Sequence, residues 1–237
     1  MSIPSERAAS EHIVENPVPT RGFFITLEGG EGTGKSTQAR KLVARFEAQG
    51  LRAIATREPG GSPNAEILRD ILLSGVIKPL GPLAEALMFS AARIDHLDQV
   101  IKPALAAGTT VVSDRFADST RVYQGVAGNL DPHRLTLLEQ AVLNGTVPDL
   151  TLVLDLAPET GLARAAARRA NIDSGDGPDR FESEDLTYHR RLREAFRALP
   201  KREPGRCLLI DADASADIVT ERLWTAIQQR LLHPNAR

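Results

Sequence analysis

The stretch that decides the fold reads Gly29-Gly30-Glu31-Gly32-Thr33-Gly34-Lys35-Ser36. It fits the pattern G-x-x-x-x-G-K-[ST], a loop whose backbone N–H groups surround phosphate groups. The apolar, β-branched run Phe23–Glu28 before it predicts a strand, and Lys35–Gln49 after it carries apolar residues at helical spacing. Because the glycines let the backbone turn toward an anion and the helix N-terminus adds partial positive charge, the sequence predicts a phosphate-binding loop.

The loop residues have different expected roles in binding a nucleotide. Lys35 would reach the β- and γ-phosphates, and the hydroxyl of Ser36 would coordinate Mg²⁺, which is therefore the predicted cofactor. An ordinary glycine-rich turn is the alternative reading, but the Lys-Ser pair and both flanks favour the phosphate loop. The predicted nucleotide-binding residues are Gly29, Gly30, Glu31, Gly32, Thr33, Gly34, Lys35, Ser36 and Thr37.

Composition restricts the compartment and the partners of the chain. With 29 basic and 31 acidic residues among 237, the chain has no polybasic signal for nucleic acid or an anionic membrane. The single cysteine, Cys207, excludes an intrachain disulfide and indicates a reducing cytoplasm. No apolar run has the length of a membrane span. Residues 1–20 are polar with three prolines, so we expect a flexible extension followed by one domain over residues 21–237.

The rest of the chain alternates between predicted strands and helices. Short apolar strands separated by helices indicate a parallel sheet covered on both faces, here a three-layer α/β/α fold with five strands. Ligands of such sheets bind beyond the carboxyl ends of the strands. The further predicted strands are Arg52–Arg57, Thr109–Arg115, Leu150–Leu156 and Cys207–Ala212. The further predicted helices span 64–74, 82–106, 131–144, 158–170, 183–198 and 214–231.

Several classes of phosphate-loop protein remain at this point. A signalling GTPase needs a guanine-reading Asn-Lys-x-Asp, which the sequence lacks. A nucleic-acid-driven motor would usually be larger and would need a strand-binding surface. A nucleotide-sensing switch stays open, as does a small-molecule kinase. A kinase needs an acceptor pocket, a clamp for the acceptor phosphate and a closing lid.

Seven segments carry a resemblance to one kinase family. In family order they are Leu27–Thr37, Thr56–Gly61, Met88–Arg93, Val100–Leu105, Asp114–Phe116, Ser119–Gly125 and Asp179–Glu182. Together they resemble the bacterial thymidylate kinases, P-loop nucleoside monophosphate kinases. The resemblance implies phosphorylation of dTMP to dTDP with ATP and Mg²⁺ in dTTP biosynthesis. It also implies a homodimer formed through helices near 64–106 and a mobile lid at about 164–183.

Phe89 and Arg93 are the first candidates for the acceptor pocket. They stand at positions i and i+4 of one predicted helix and therefore share a face. The resemblance implies that Phe89 stacks on thymine and that Arg93 reaches its O4 atom. The alternative is a core Phe89 beside a solvated Arg93. Another nucleoside monophosphate kinase or a deoxynucleoside kinase would use the same loop and lid, and the set Phe89, Arg93, Thr120 and Gln124 argues for thymine.

Four more residues complete the predicted acceptor pocket. By resemblance, Thr120 and Gln124 line the thymine and sugar side, with Thr120 toward the base edge. Tyr123 would close the 2′ side of the sugar and disfavour a ribose hydroxyl. Glu31 lies inside the phosphate loop, where an acid opposes phosphate, and the resemblance implies that it accepts from the 3′-hydroxyl of dTMP. The alternative for Gln124 and Tyr123 is a short surface helix.

The end of the third predicted strand carries candidates for the phosphate clamp and the metal. Arg115 there can hold the acceptor phosphate through two hydrogen bonds, and Asp114 can hold Mg²⁺ through water. Arg57, at the end of the preceding strand, is a second clamp candidate. Glu58 would orient Arg57 or the metal-bound waters.

The lid has to supply positive charge, because Glu31-Gly32-Thr33 contains no arginine. Phosphoryl transfer gains greatly from a cation on the transferring group. This resembles the subgroup of the family in which the lid delivers the arginine. Arg168 is the main candidate, with Arg164 and Arg180 assisting, while Asp179 and Glu182 would set the geometry of the lid. The predicted catalytic residues are Lys35, Arg115, Arg168, Arg164 and Arg180.

Overall fold

The computed structural model describes residues 21–170 and 180–232. The predicted extension over residues 1–20 lies outside these ranges. So do residues 171–179 of the predicted lid, with Asp179 among them. Within the described ranges, no helix is both long and apolar enough to cross a membrane.

All five predicted strands are present and form one parallel sheet. Their order across the sheet is β2-β3-β1-β4-β5. The strands are β1 Phe24–Glu28, β2 Ala53–Arg57, β3 Thr110–Asp114, β4 Leu150–Asp155 and β5 Cys207–Asp211. The predicted five-stranded parallel α/β/α fold is therefore confirmed.

The register of the sheet brings the carboxyl ends of β1 to β4, and the segments that follow them, to one edge. Leu27 of β1 pairs with Asp114 of β3, and Arg57 of β2 pairs with the same residue. On the other side of β1, Glu28 is in register with Val153 of β4. Since every strand runs in the same direction, the residues that follow β1, β2, β3 and β4 meet beyond their carboxyl ends.

Helices cover both faces of the sheet, and every predicted helix is present. They are α1 Lys35–Ala48, α2 Pro63–Leu73, α3 Pro82–His96, α4 Lys102–Ala106, α5 Ala117–Thr120, α6 Pro132–Leu143, α7 Pro158–Ala170, α8 Leu186–Arg202 and α9 Ala216–Ile227. A 3₁₀ turn spans Lys78–Leu80, and π-helical turns span Leu97–Ile101, Arg121–Ala127 and Gln228–Leu232.

The apolar core lies between the sheet and these helices. On one face Phe46 of α1 meets Trp224 of α9 edge to face, with ring centroids 5.0 Å apart. On the other face Phe24 of β1 and Phe116 make a similar contact at 4.8 Å. Such pairs add specific geometry to the burial of large apolar area. The two aromatic pairs thus pack the sheet against the residues on both of its faces.

Two elements differ from the sequence prediction. The helical segment from Ala117 to Ala127 was not among the predicted helices, because its residues do not follow a single 3.6-residue period. Helix α8 begins at Leu186, not at 183, because Asp185 caps it by accepting from the backbone N–H of Tyr188 at 2.7 Å. It also continues past Pro200 to Arg202, since burial of Leu199 outweighs the local effect of proline in the last turns.

Candidate active site

The phosphate loop requires glycine at two positions, at Gly34 because of its backbone conformation and at Gly32 because of close packing. Gly34 has φ 93° where it precedes α1, a backbone conformation that L side chains rarely adopt. A Cβ atom on Gly32 would lie 1.8 Å from the carbonyl oxygen of Gly161 at the start of α7. The loop thus rests directly on α7, the helix that leads into the predicted lid.

The side chain of Lys35 lies across the phosphate loop. Its Nζ donates to the carbonyl oxygen of Gly30 at 2.7 Å and to that of Gly29 at 3.3 Å. Burial, reinforced by the nearby charge of Arg115, lowers the pKa of Lys35 to about 8. A phosphate group entering the loop would replace the carbonyl partners and stabilise the ammonium form.

The predicted metal residues lie together at the mouth of the loop. The hydroxyl of Ser36, at the start of α1, donates to the carboxylate of Asp114 at the end of β3. Both side chains face the same cavity as the loop. Mg²⁺ usually binds through one or two protein oxygens together with phosphates and water, so this pair fits the ion.

Arg115 contacts both the phosphate loop and the predicted acceptor pocket. Its Nη1 donates to the carbonyl oxygen of Gly29 at 2.9 Å, and its Nη2 donates to Oε1 of Glu31 at 2.7 Å. Its guanidinium lies over the ring of Tyr123, 5.1 Å from the centroid. The backbone of Arg115 has φ 73°, which is unfavourable for a residue with a Cβ and needs support from its surroundings.

Glu28 supplies that support and was missed as a site residue. Its buried carboxylate, at the end of β1, accepts from the backbone N–H of Phe116 at 2.9 Å and of Ser119 at 3.2 Å. It also accepts from the hydroxyl of Ser119 at 2.6 Å. Burial, with a further contribution from Asp118, raises the pKa of Glu28 to about 7. An acid ending an apolar strand was the available signal in the sequence.

Glu31 stays ionised although it is largely enclosed. Burial alone would raise its pKa, but Arg115 and Lys35, with a hydrogen bond from Tyr123, hold the pKa at about 2. The hydroxyl of Tyr123 donates to the same Oε1 atom at 2.7 Å. Two donors thus fix a charged acceptor between the phosphate loop and the predicted sugar site.

One cavity of about 220 Å³ collects most of the predicted residues. From the phosphate loop it is lined by Glu31, Gly32, Gly34, Lys35, Ser36 and Thr37. From the predicted clamp, acceptor pocket and lid it is lined by Arg57, Phe89, Arg93, Asp114, Arg115, Thr120, Tyr123, Gln124 and Arg168. Of the remaining loop residues, Gly30 and Thr33 face a smaller cavity beneath the loop, and Gly29 contacts Lys35 and Arg115 through its carbonyl oxygen.

Arg93 is held as part of a buried polar chain. Its Nε donates to Oε2 of Glu58 at 2.7 Å, and its Nη2 donates to the hydroxyl of Thr120 at 3.1 Å. His96 contacts the other oxygen of Glu58 at 3.1 Å, and its Nε2 lies 2.6 Å from the hydroxyl of Thr56. With only 3% of its surface exposed, Arg93 is not a solvated helix charge.

The expected role of Glu58 toward Arg57 is wrong. The carboxylate of Glu58 turns inward to Arg93 and His96, where the low dielectric strengthens a paired charge. Arg57 instead pairs with Glu66 at 2.9 Å at the exposed rim of the cavity. His96 and Arg69 were also missed. Arg69 lines the cavity and donates to the carbonyl oxygen of Pro59 at 2.7 Å.

Aromatic side chains form one wall of the predicted acceptor pocket. Phe89 packs near Phe181 with ring centroids 6.1 Å apart, and Phe181 meets Tyr123 edge to face at 5.2 Å. Thr120 and Gln124 are buried and line the cavity, so the surface-helix reading of this segment is wrong. The flat faces of the wall suit an aromatic base.

The three predicted lid arginines occupy different places. Arg168 lines the cavity and lies 3.6 Å from Glu182. Arg164 donates to the carbonyl oxygen of Ala212, beyond β5. Arg180 pairs at 2.5 Å with Glu85, which also contacts Gln124 of the cavity lining. Their roles in transfer stay predictions.

The fold and this cavity define a P-loop phosphotransferase, in which a phosphate loop with its lysine and Ser–Asp pair faces an aromatic acceptor pocket. The family model described as "Thymidylate kinase" matches residues 27–223. The chain belongs to the thymidylate kinase family, and it is accordingly an enzyme, a dTMP kinase.

Curated relatives and solved structures agree with this membership. A thymidylate kinase of Nitrobacter winogradskyi is 56% identical over 216 residues, covering 91% of this chain and 92% of the relative. One of Bradyrhizobium diazoefficiens is 54% identical over 213 residues, covering 90% and 91%. The crystal structure of thymidylate kinase from Ehrlichia chaffeensis matches with a TM-score of 0.69 at 30% identity, covering 87% of this chain and 98% of the other.

The low pKa of Glu31 predicts a pH dependence of stability. Because the pKa falls from 4.5 in the unfolded chain to about 2 in the fold, Glu31 stabilises the fold fully above pH 4.5. That contribution is lost as the pH falls from 4.5 toward 2. Glu31→Gln should therefore be less stable than the wild type at pH 7, with a difference that shrinks below pH 4.5. Urea unfolding between pH 7 and pH 2.5 measures it.

A matched control for this experiment is Glu221→Gln, which removes an exposed carboxylate paired with Arg45. Exposed pairs contribute little, so this variant should follow the wild type throughout. A stability difference for Glu31→Gln that stays constant from pH 7 to pH 2.5 would contradict the assignment.

Proposed function

We propose that the enzyme transfers the γ-phosphoryl group of Mg²⁺-bound ATP directly to a phosphate oxygen of dTMP, forming dTDP for dTTP biosynthesis. The observation that carries the proposal is that the phosphate loop and the aromatic acceptor pocket line one cavity, joined by Arg115. Donor and acceptor would therefore meet without a covalent enzyme intermediate.

On the donor side, the loop would surround the ATP phosphates with backbone N–H groups. Lys35 would leave the carbonyl oxygen of Gly30 and neutralise the β- and γ-phosphates. Ser36 and Asp114 would hold Mg²⁺, directly and through water. The ion would supply charge neutralisation between the β- and γ-phosphates.

On the acceptor side, Phe89 would stack on thymine and Arg93 would donate to its O4 atom. Glu31 would accept from the 3′-hydroxyl, with Tyr123 closing the 2′ side of the sugar. Arg115 would clamp the acceptor phosphate, with Arg57 as a second cation at the rim. Burial and the contacts of Arg93 with Glu58 and Thr120 support this placement, since a pre-oriented donor loses little freedom on binding.

The chemical step needs orientation and charge more than proton transfer. A nucleoside monophosphate is already ionised at neutral pH, so its oxygen can attack without a general base. Arg115 would align that oxygen with the γ-phosphorus, and lid closure would exclude water that otherwise hydrolyses ATP.

The proposed reaction is tested by supplying Mg²⁺ and ATP with dTMP, dUMP, UMP, CMP, AMP, GMP or thymidine and following ADP. We expect dTMP to be strongly preferred. Lys35→Ala, prepared in parallel, should lose nearly all transfer because the loop cation is gone, and it reports any contaminating kinase. Equal use of several acceptors, or ADP formation that no acceptor stimulates, would refute the proposal.

Arg168 is the arginine that we propose for the transferring phosphoryl group. Of the three candidates, it lines the cavity, whereas Arg164 lies toward Ala212 and Arg180 pairs with Glu85. Its side chain is 59% exposed, and its partner Glu182 also pairs with Arg169, so Arg168 can move toward the phosphates while Glu182 keeps a cation. The lid over about 164–183 would carry it there when nucleotides bind.

Replacement of this arginine should affect turnover more than binding. Arg168→Ala should lower kcat by roughly 100-fold or more and change the KM for dTMP much less, since the charge acts in the transition state. The neighbouring Arg169→Ala is the matched control. Arg169 also pairs with Glu182 but does not line the cavity. The kcat of the Arg169→Ala variant should therefore stay near that of the wild type. An Arg168 effect confined to KM would contradict the role.

We propose a homodimer formed through α2 and α3, as the family resemblance implies. The supporting feature is an apolar surface of Leu83, Leu87 and Ile94 on α3 and Ile67 on α2, each more than a third exposed. The α3 residues recur at intervals of four and seven and therefore share one face. Contiguous exposed apolar surface of this kind usually marks an interface.

A charge placed on this face should separate the subunits. Leu87→Glu would bury an unpaired carboxylate in a dimer, so sedimentation velocity should show a monomer where the wild type sediments as a dimer. Ile218→Glu, at an equally exposed apolar position on α9, is the matched control and should leave the dimer intact. A Leu87→Glu protein that still sediments as a dimer would contradict the interface.

We also propose a cytoplasmic location. Its support is the composition, with a single cysteine that the structure buries in β5.

A further inference from the structure

Glu85 is a buried acid that the proposed reaction does not use. It lies in the first turn of α3, beside the base pocket but outside the lining of the cavity. One carboxylate oxygen accepts from Nε2 of Gln124 at 3.1 Å, and the other accepts from Nη2 of Arg180 at 2.5 Å. A buried carboxylate with two donors, one of them a guanidinium, is fixed in position.

The contact with Glu85 determines how the amide of Gln124 is turned. An ionised carboxylate can only accept hydrogen bonds, so the amide must direct its nitrogen toward Glu85. Its oxygen, Oε1, then points away from Glu85. Gln124 lines the cavity, and in the part of the chain that the structure describes no hydrogen bond engages Oε1. The amide oxygen is thus left available to the cavity as a hydrogen-bond acceptor.

Pyrimidine bases differ at the atom that such an acceptor would meet. Thymine and uracil carry a donor at N3 beside the O4 carbonyl, whereas cytosine has an unprotonated N3 beside an amino group. Arg93 provides a donor in the same pocket, oriented by Glu58 and Thr120. A donor for O4 next to an acceptor for N3–H matches the thymine edge and opposes the cytosine edge.

We propose that Glu85 is a positioning residue that fixes the amide of Gln124 with its oxygen toward the base and so selects pyrimidines with N3–H over cytosine. This rests on the proposed placement of the base beside Arg93 and Gln124. The effect is one of specificity, because a mismatched base leaves buried polar groups unpaired.

Arg180 makes this arrangement stable. A carboxylate in an ion pair with a guanidinium accepts hydrogen bonds and has no hydrogen with which to turn the amide of Gln124 around. Arg180 lies at the described end of the predicted lid and stacks over Phe181 at 4.2 Å, so the lid and the base pocket share this carboxylate.

Glu85→Gln tests the proposal, because glutamine can donate to Gln124 and lets its amide turn over. The readout is the ratio of kcat/KM for dTMP to that for dCMP with Mg²⁺ and ATP. We expect the ratio to fall at least tenfold, through a higher KM for dTMP and improved use of dCMP. A merely structural role would lower both values together, and an unchanged ratio would overturn the proposal.

Two further variants serve as a folding control and a specificity control for Glu85→Gln. The double variant Glu85→Gln with Arg180→Gln leaves no unpaired buried charge, so it should fold even if the single variant does not, and it must show the same fall in the ratio. Glu184→Gln removes the ion pair with Lys78 in the segment that follows Arg180 and should keep the wild-type ratio. A double variant that retains the wild-type ratio would overturn the proposal.

The same measurement separates this inference from the proposed function. A wild-type enzyme that used dCMP as readily as dTMP would overturn both. Wild-type discrimination that survives in the Glu85 variants would overturn the inference alone.

Discussion

The ion pair between Arg115 and Glu31 joins the phosphate loop after β1 to the loop after β3. Both loops begin at the same edge because β1 and β3 are parallel neighbours, with Leu27 in register with Asp114. In the proposed reaction this pair would place a cation near both phosphates and a carboxylate near a hydroxyl of the sugar. Glu28 accepts hydrogen bonds from the backbone that follows the strained Arg115, so the position of Arg115 depends on contacts outside the cavity.

Buried acids have a common role throughout the site. Glu28 orders the loop of Arg115, Glu58 orients Arg93, and Glu85 contacts Gln124 and Arg180. Burying a carboxylate is costly unless it is paired and hydrogen-bonded, and each of these has two or more donors. The benefit is rigidity, because the side chains that contact these acids are oriented before any ligand binds. The proposed catalysis by positioning would require this order.

Local sequence patterns were sufficient to predict the fold and the phosphate loop. Five apolar strands separated by amphipathic helices predicted the parallel sheet, and the loop motif predicted Lys35 and Ser36 at its edge. Patterns failed where tertiary contacts override local preference. The segment from Ala117 to Ala127, which lines the cavity, is helical and includes a π-helical turn. Helix α8 continues through Pro200 because its apolar face is buried. Such effects arise from packing partners distant in the chain.

By itself the sequence determined the fold class, the phosphate loop, the family, and most residues that line the cavity. Each of these follows from residue types and their spacing within segments, and from the order of those segments along the chain. Only the tertiary structure decided what those residues contact: Glu58 orients Arg93 and not Arg57, Arg168 faces the cavity while Arg180 pairs with Glu85, and Glu85 contacts Gln124. These pairs join segments 35 to 95 residues apart. Side-chain partners at such separations depend on how the helices pack on the sheet, which no local pattern encodes.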